Sequence, residues 1–120
     1  MLQIDQLQDN FKIQHPGAAL KPEFSDVYFH MKPLSQHEIS NLYESSITRN
    51  NKGTAKFLEA QWVKSCEAWE GIEDKGAPVE CTEAKKRELF RKPPIRSLIE
   101  EILGELERLS RDQLGLQEKN

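Results

Sequence analysis

Three carboxylates, Glu70, Glu73 and Asp74, fall within five residues of one another beside Trp69, in the stretch WEGIEDKGAPVECT (69–82). Clustered acids are what a divalent cation requires. A dedicated calcium loop, however, spaces its oxygen ligands at alternate positions over about twelve residues, and that spacing is absent here. Asp74-Lys75-Gly76 instead fits a turn with its glycine in the left-handed conformation. Ile72 and Val79 on either side predict a short β-like excursion. The acids therefore read as the polar tip of a turn, and neither a metal nor a cofactor is expected.

The remaining reactive side chains are scattered. His15, His30 and His37 share no ligand spacing with each other or with a cysteine, which argues against zinc. A cysteine nucleophile needs a neighbouring base and a depressed pKa. Cys66 lies on the apolar side of a helical pattern, where it behaves as a small hydrophobe. Cys81 has no histidine near it in sequence. Both are expected as reduced thiols. No nucleophile elbow, phosphate loop or dinucleotide fingerprint is present, so no catalytic residue is assigned and a non-enzyme is expected.

A basic cluster is the other feature with chemical meaning. Lys85, Lys86, Arg87, Arg91, Lys92 and Arg96 accompany only Glu88 over residues 85–96. Such a run can contact phosphates on nucleic acid. It can equally complement the acidic helix that follows, within the fold or between subunits. The second reading is preferred, and Lys85, Lys86, Arg87 and Arg91 are candidates for electrostatic contact with a partner.

The elements that would position these groups divide the chain into a β-rich opening (1–34) and a helical remainder (35–112), with residues 113–120 as a flexible tail. FKIQH (11–15) and VYFHM (27–31) alternate apolar and polar residues, the period of a half-buried strand, and pair as an antiparallel hairpin. Pro33 ends the second. Ser35 and Glu38 form a capping box for a first helix, which Asn50-Asn51-Lys52-Gly53 stops. Leu58, Trp62, Cys66 and Trp69 form a stripe on a second helix running to Gly71, with Trp69 as its last buried member. Thr82 and Glu83 open a short third helix.

Pro93-Pro94 interrupts the third helix and a fourth begins near Pro94. Ile95, Leu98, Ile99, Ile102, Leu103, Leu106 and Leu109 give that helix a broad apolar face. It is too short for a coiled coil. The expected fold is α+β, mainly α, with four helices and a small N-terminal strand pair.

At 120 residues with 37% hydrophobic and 31% charged composition, the chain suits one globular domain with its own core. The net charge of −3 argues against general nucleic-acid binding. No apolar run reaches the ~20 residues of a membrane span. The opening MLQIDQLQDN lacks the basic and apolar regions of a secretory signal, so a cytoplasmic location is expected.

From residue 26 to about 110 the order of features resembles small proteins of bacteriophage and prophage tail-morphogenesis regions, described as tail assembly chaperones. The strand ends in a Lys-Pro-Leu-Ser step (32–35) and a helix starts at Gln36-His37-Glu38. Trp69-Glu70-Gly71-Ile72 precedes an Asp-x-Gly-x-Pro turn formed by Asp74, Gly76 and Pro78. A Thr-Glu helix start and a proline break follow. Residues 1–25 and the basic 85–96 cluster have no counterpart in this pattern.

The resemblance implies a non-enzymatic role in the bacterial host's cytoplasm, coating the tape-measure protein and bringing tail-tube subunits to it. It also leaves open a structural component retained in the virion. Leu98, Ile102, Leu106 and Leu109 are the candidate partner-binding strip, and a homo-oligomer would cover surplus apolar surface in the same way.

Overall fold

The computed structural model describes residues 7–46 and 53–113. The stop signal at Asn50-Asn51-Lys52 and the tail beyond Gln113 lie outside them. The fold is α+β and mainly α: a three-stranded antiparallel sheet, a two-stranded hairpin and, among the described residues, four helices. The sheet contains β1 (Phe11–Gln14), β2 (Tyr28–Met31) and β3 (Cys66–Glu70), in that order. The helices are α1 (Gln36–Ser46), α2 (Gly53–Ser65), α3 (Glu83–Phe90) and α4 (Pro93–Asp112). The small hairpin, β4 (Glu73–Asp74) and β5 (Ala77–Pro78), joins β3 to α3.

β1 and β2 pair as their alternation predicts, with Ile13 opposite Phe29 and Phe11 opposite Met31. That register puts all four apolar side chains on one face, where they are buried. Lys12, Gln14, Tyr28 and His30 occupy the other face, toward solvent. α4 and the end of α2 cover the apolar face. Trp62, Ile99 and Ile102 fill the space between, and the edge of the Phe29 ring meets Trp62 at 6.1 Å between centroids. Burying each of the larger aliphatic side chains contributes about 1.5–3 kcal/mol.

The third strand departs from the sequence expectation. The helical stripe through Trp69 stops at Ser65, and Cys66–Glu70 turns into the sheet beside β2, Tyr28 opposite Glu70 and His30 opposite Ala68. The fully buried Ser65 makes the transition. Its hydroxyl donates to the Lys32 carbonyl at 2.8 Å, and its carbonyl accepts from the Lys32 N–H at 2.9 Å. Serine competes with helical bonding in this way.

The Lys86 ammonium completes the helix end by donating to the Val63 and Cys66 carbonyls at 3.0 and 2.6 Å. Trp69 is thus a strand residue. It stacks on Trp62 at 6.4 Å and donates its indole N–H to the Val79 carbonyl at 2.8 Å.

Gly71 is not a helix stop either. Its φ is +80°, and a Cβ added there would lie 2.5 Å from the Asp26 carbonyl oxygen. The glycine lets the end of β3 approach the start of β2. The predicted turn takes its expected form: Asp74 pairs with Ala77 across a two-residue loop with positive φ at both Lys75 and Gly76. This is the loop geometry that fits the twist of a tight hairpin.

The helix starts also follow the sequence. Ser35 N–H donates to the Glu38 carboxylate at 3.0 Å, and Glu38 N–H donates to the Ser35 hydroxyl at 3.1 Å. The backbone N–H of Ser35 is the main cause that holds the Glu38 carboxyl below the usual range. Thr82 caps α3 by accepting from Lys85 N–H at 3.2 Å. α4 begins one residue before the predicted Pro94, with Pro93 in its first turn.

Candidate functional site

The connection HPGAALKPEF between β1 and β2 was expected only as punctuation, but it builds one wall of an open groove. The His15 ring stacks on Phe24 at 4.0 Å and 11°, and its Nδ1 accepts the Gly17 N–H at 2.9 Å. A 3₁₀ turn at Pro22–Phe24 holds Phe24 in place, with the Ser25 hydroxyl donating to the Pro22 carbonyl at 2.7 Å. The loop so formed carries Leu20 outward, 87% exposed. A single exposed leucine is ordinary on a protein surface; its interest here is its place at the edge of the groove.

Ile95 and Leu98 on α4 form the opposite wall, while Phe29 and Trp62 provide the floor. Ile72, where β3 passes into the small hairpin, closes one end. The groove encloses about 770 Å³, within the size range of ligand sites. Its charged rim consists of Glu73 and Glu101; among the described residues no lysine or arginine lines it, and the Lys21 ammonium stands 5.8 Å from the centroid of the Phe24 ring in its wall. Burial pushes the His15 imidazole below its ordinary value of 6.5, against a weaker upward pull from Glu101, so the ring is neutral near pH 7.

The predicted partner-binding strip divides unevenly over this surface. Leu98 lies in the groove wall, and the half-buried Leu109 lines a second concavity beside Lys12 and Gln14 of β1. Ile102 and Leu106 are 0% and 4% exposed. They belong to the core and offer nothing to a partner on the folded surface. The sheet covers them because Phe11, Ile13 and Met31 are buried in the same cluster. What the strip lacked, Leu20, Phe24 and Ile72, comes from segments without helical periodicity. The one sequence signal for the loop was a leucine between Pro16 and Pro22.

Three of the basic residues are tied into local ion pairs and the fourth works as a cap. Lys85 pairs with Glu88 at 3.1 Å. Arg87 meets Glu59 and Glu83 at 3.6 and 3.3 Å. Arg91 reaches Glu59 at 3.1 Å. Lys86 is committed to carbonyls at the end of α2. The cluster thus serves chiefly to join α3 to α2.

The other chemical groups do not converge on the groove. On the solvent face of the sheet, Glu70 lies 2.5 Å from His30 and 3.3 Å from Lys12, and these contacts hold its carboxyl below the usual range. Lys12 also sits over the Tyr28 ring at 4.5 Å. These partners neutralise one another on a flat surface.

Cys66 and Cys81 are free thiols. Burial pushes Cys66 up to about 12 and raises Cys81 as well, so neither supplies a thiolate at neutral pH. Among the described residues no group of three or more His, Cys, Asp and Glu side chains is placed to hold a metal, and no helix is long and apolar enough to cross a membrane.

Trp69, Glu70, Gly71, Ile72, Asp74, Gly76 and Pro78 are contiguous in space as in sequence, running from the edge of the sheet through the small hairpin. Only Gly71 and Ile72 of this set line the groove. Compared with known proteins, the chain gives no match to a family model, to a curated protein or to a solved structure.

Proposed function

We propose that this protein acts by binding another polypeptide, without catalysis, and that it is a tail-morphogenesis protein of a bacteriophage or prophage, a tail assembly chaperone for the tape-measure protein. The observation that carries the binding part is the open groove, with Leu20, Phe24, Ile95 and Leu98 presented on a folded surface. Exposed apolar clefts with a polar rim are the usual form of a reversible protein-docking surface. The phage part rests on the Trp69–Ile72 and Asp74–Pro78 sequence pattern and on its position before a proline-broken helix pair.

Co-expression with the tape-measure protein of the same genome tests both parts. The wild-type chain should co-purify with it, and Leu98→Asp should not. Retention of Leu98→Asp would remove the groove from the reading, and loss of wild-type co-purification would remove the client. A role as a virion component differs in one result, since the chain would then remain in purified particles by mass spectrometry. Against a nucleic-acid role, the α3 cations already have carboxylate or carbonyl partners. A DNA affinity that falls steeply with salt and with Lys85→Ala would restore that role.

A further inference from the structure

We propose that Cys66 and Cys81 form a modification site: a low-molecular-weight disulfide such as glutathione disulfide joins them in an intramolecular bond that staples the base of the loop they bracket.

The path of the chain brings the two side chains together. Cys66 opens β3 where α2 ends, and Cys81 directly precedes Thr82, the cap of α3. Between them the small hairpin reverses the chain, with Glu73 opposite Pro78 and the Val79 N–H donating to the Ile72 carbonyl at 2.9 Å. The Trp69 indole N–H ties β3 to the returning segment through the Val79 carbonyl at 2.8 Å. α3 is in turn fastened to the end of α2. The Trp62 indole N–H donates to the Lys86 carbonyl at 3.0 Å, and the Lys86 ammonium donates to the Cys66 carbonyl at 2.6 Å. Cys66 is thereby buried in the core, and Cys81 packs half-buried against the same cluster. The two thiols come within hydrogen-bonding reach of each other. The sequence holds no third cysteine to compete.

Accessibility orders the reaction. Cys81 is the more exposed thiol and meets an external disulfide first. Its thiolate attacks one sulfur of glutathione disulfide, forming a mixed disulfide and releasing a glutathione thiolate that takes up the proton Cys81 has lost. Cys66 then gives up its proton and attacks the Cys81 sulfur. The bond from Cys81 to glutathione breaks, and the second glutathione leaves as the thiol. Two cysteine thiols are oxidised and one glutathione disulfide is reduced to two glutathiones. Thiolate stabilisation is what makes a protein disulfide easy to reduce, and burial works against it at both sulfurs, so this bond should form slowly and resist reduction. The loop it closes contains Gly71 and Ile72, the end of the groove.

The test uses the full chain in its reduced form, incubated with glutathione disulfide at pH 8.5, quenched with iodoacetamide and read by intact mass and non-reducing peptide mapping. Wild type should lose both thiols together, yielding a peptide cross-linked between Cys66 and Cys81 and no lasting glutathione adduct. Cys66→Ala should retain one glutathione on Cys81, and Cys81→Ala should leave Cys66 unmodified until urea unfolds the chain. Equilibration of wild type in glutathione buffers needs no variant to fold: the effective concentration of the pair should be at least roughly tenfold higher in the native chain than in urea. A stable glutathione adduct on wild-type Cys81, retention of both thiols under conditions that oxidise the unfolded chain, or equal effective concentrations in the two states overturns the proposal. Disulfide-linked dimers as the main product would assign Cys81 to exchange between molecules and overturn it equally.

Discussion

The two halves of α4 carry the same apolar stripe and meet different surroundings. At Ile102 and Leu106 the sheet lies over the helix and both side chains are lost to solvent. One to two turns earlier, at Ile95 and Leu98, the β1–β2 connection swings away and leaves a groove about 770 Å³ in volume. Equal sequence periodicity therefore yields core at one end and the wall of an open groove at the other. What separates them is the length of β1, which ends at Gln14, and the His15–Phe24 stack that holds the following loop outward.

Paired substitutions give the sharpest way to break this comparison. Ile102→Ala should lower unfolding stability by about 2–5 kcal/mol, because it empties a fully packed site. Leu98→Ala, half-exposed, should cost about 1 kcal/mol or less and act mainly on partner binding. Urea denaturation of the two variants decides it. Equal losses would mean that the groove closes over Leu98 in solution and that α4 has no open half.

Gly71→Ala comes next in size. The added methyl meets the Asp26 carbonyl oxygen and the backbone must also hold a positive φ, so a loss of about 2–3 kcal/mol is expected. The substitution displaces the β3–β4 junction, and with it the Ile72 end of the groove. Peptide binding should fall together with the melting temperature. A neutral Gly71→Ala would show that the two strand ends are not held together as described.

Ser65→Ala should cost about 1–3 kcal/mol by leaving the Lys32 carbonyl without its hydroxyl donor at a buried site. Because Ser65 directs Cys66–Glu70 into the sheet, amide exchange should rise first across β3 while α4 stays protected. Exchange that rises evenly over the whole chain would contradict a local role.

These residues also mark where the fold was legible in the sequence. FKIQ and YFHM alternate cleanly and have one reading; Ser35 with Glu38, and Lys75 with Gly76, carry their local geometry in their own chemistry. CEAWE has two readings. Cys66 and Trp69 extend a helical stripe from Trp62, and as a strand they come opposite the buried Met31 and Phe29 only through an irregularity in the register between His30 and Met31. The choice is made by Lys32 and Lys86, far away in sequence, which bind the backbone where the helix ends.

The groove was hidden for a related reason. Periodicity reports which face of α4 is apolar, and it is silent on how far along that face the neighbouring strands reach. Leu20, the most exposed large apolar residue among those described, belongs to no repeating pattern. The basic 85–96 segment was legible in part: that its charge could be complemented within the fold was readable, while the identity of the partners, Glu59 and the α2 carbonyls, was not.

The smallest expected effect probes the open half alone. His15 Nδ1 accepts the Gly17 N–H, so that nitrogen must be bare for the loop to keep its shape. Burial lowers the folded-state pKa below the ordinary 6.5, opposed in part by Glu101 on α4. The sign follows: the contribution is fully present above pH 6.5 and is lost as pH falls through the depressed value. Exchange of the Gly17 amide, measured at pH 7.5 and 5.5 and corrected for intrinsic rate, should show protection falling severalfold at the lower pH, about 0.5–1 kcal/mol. His15→Asn retains an acceptor without titrating and should flatten the response, while the Ile102 amide stays protected throughout. If Gly17 protection is independent of pH in wild type, the imidazole is not what holds the groove wall open, and the loop must owe its position to the Phe24 packing alone.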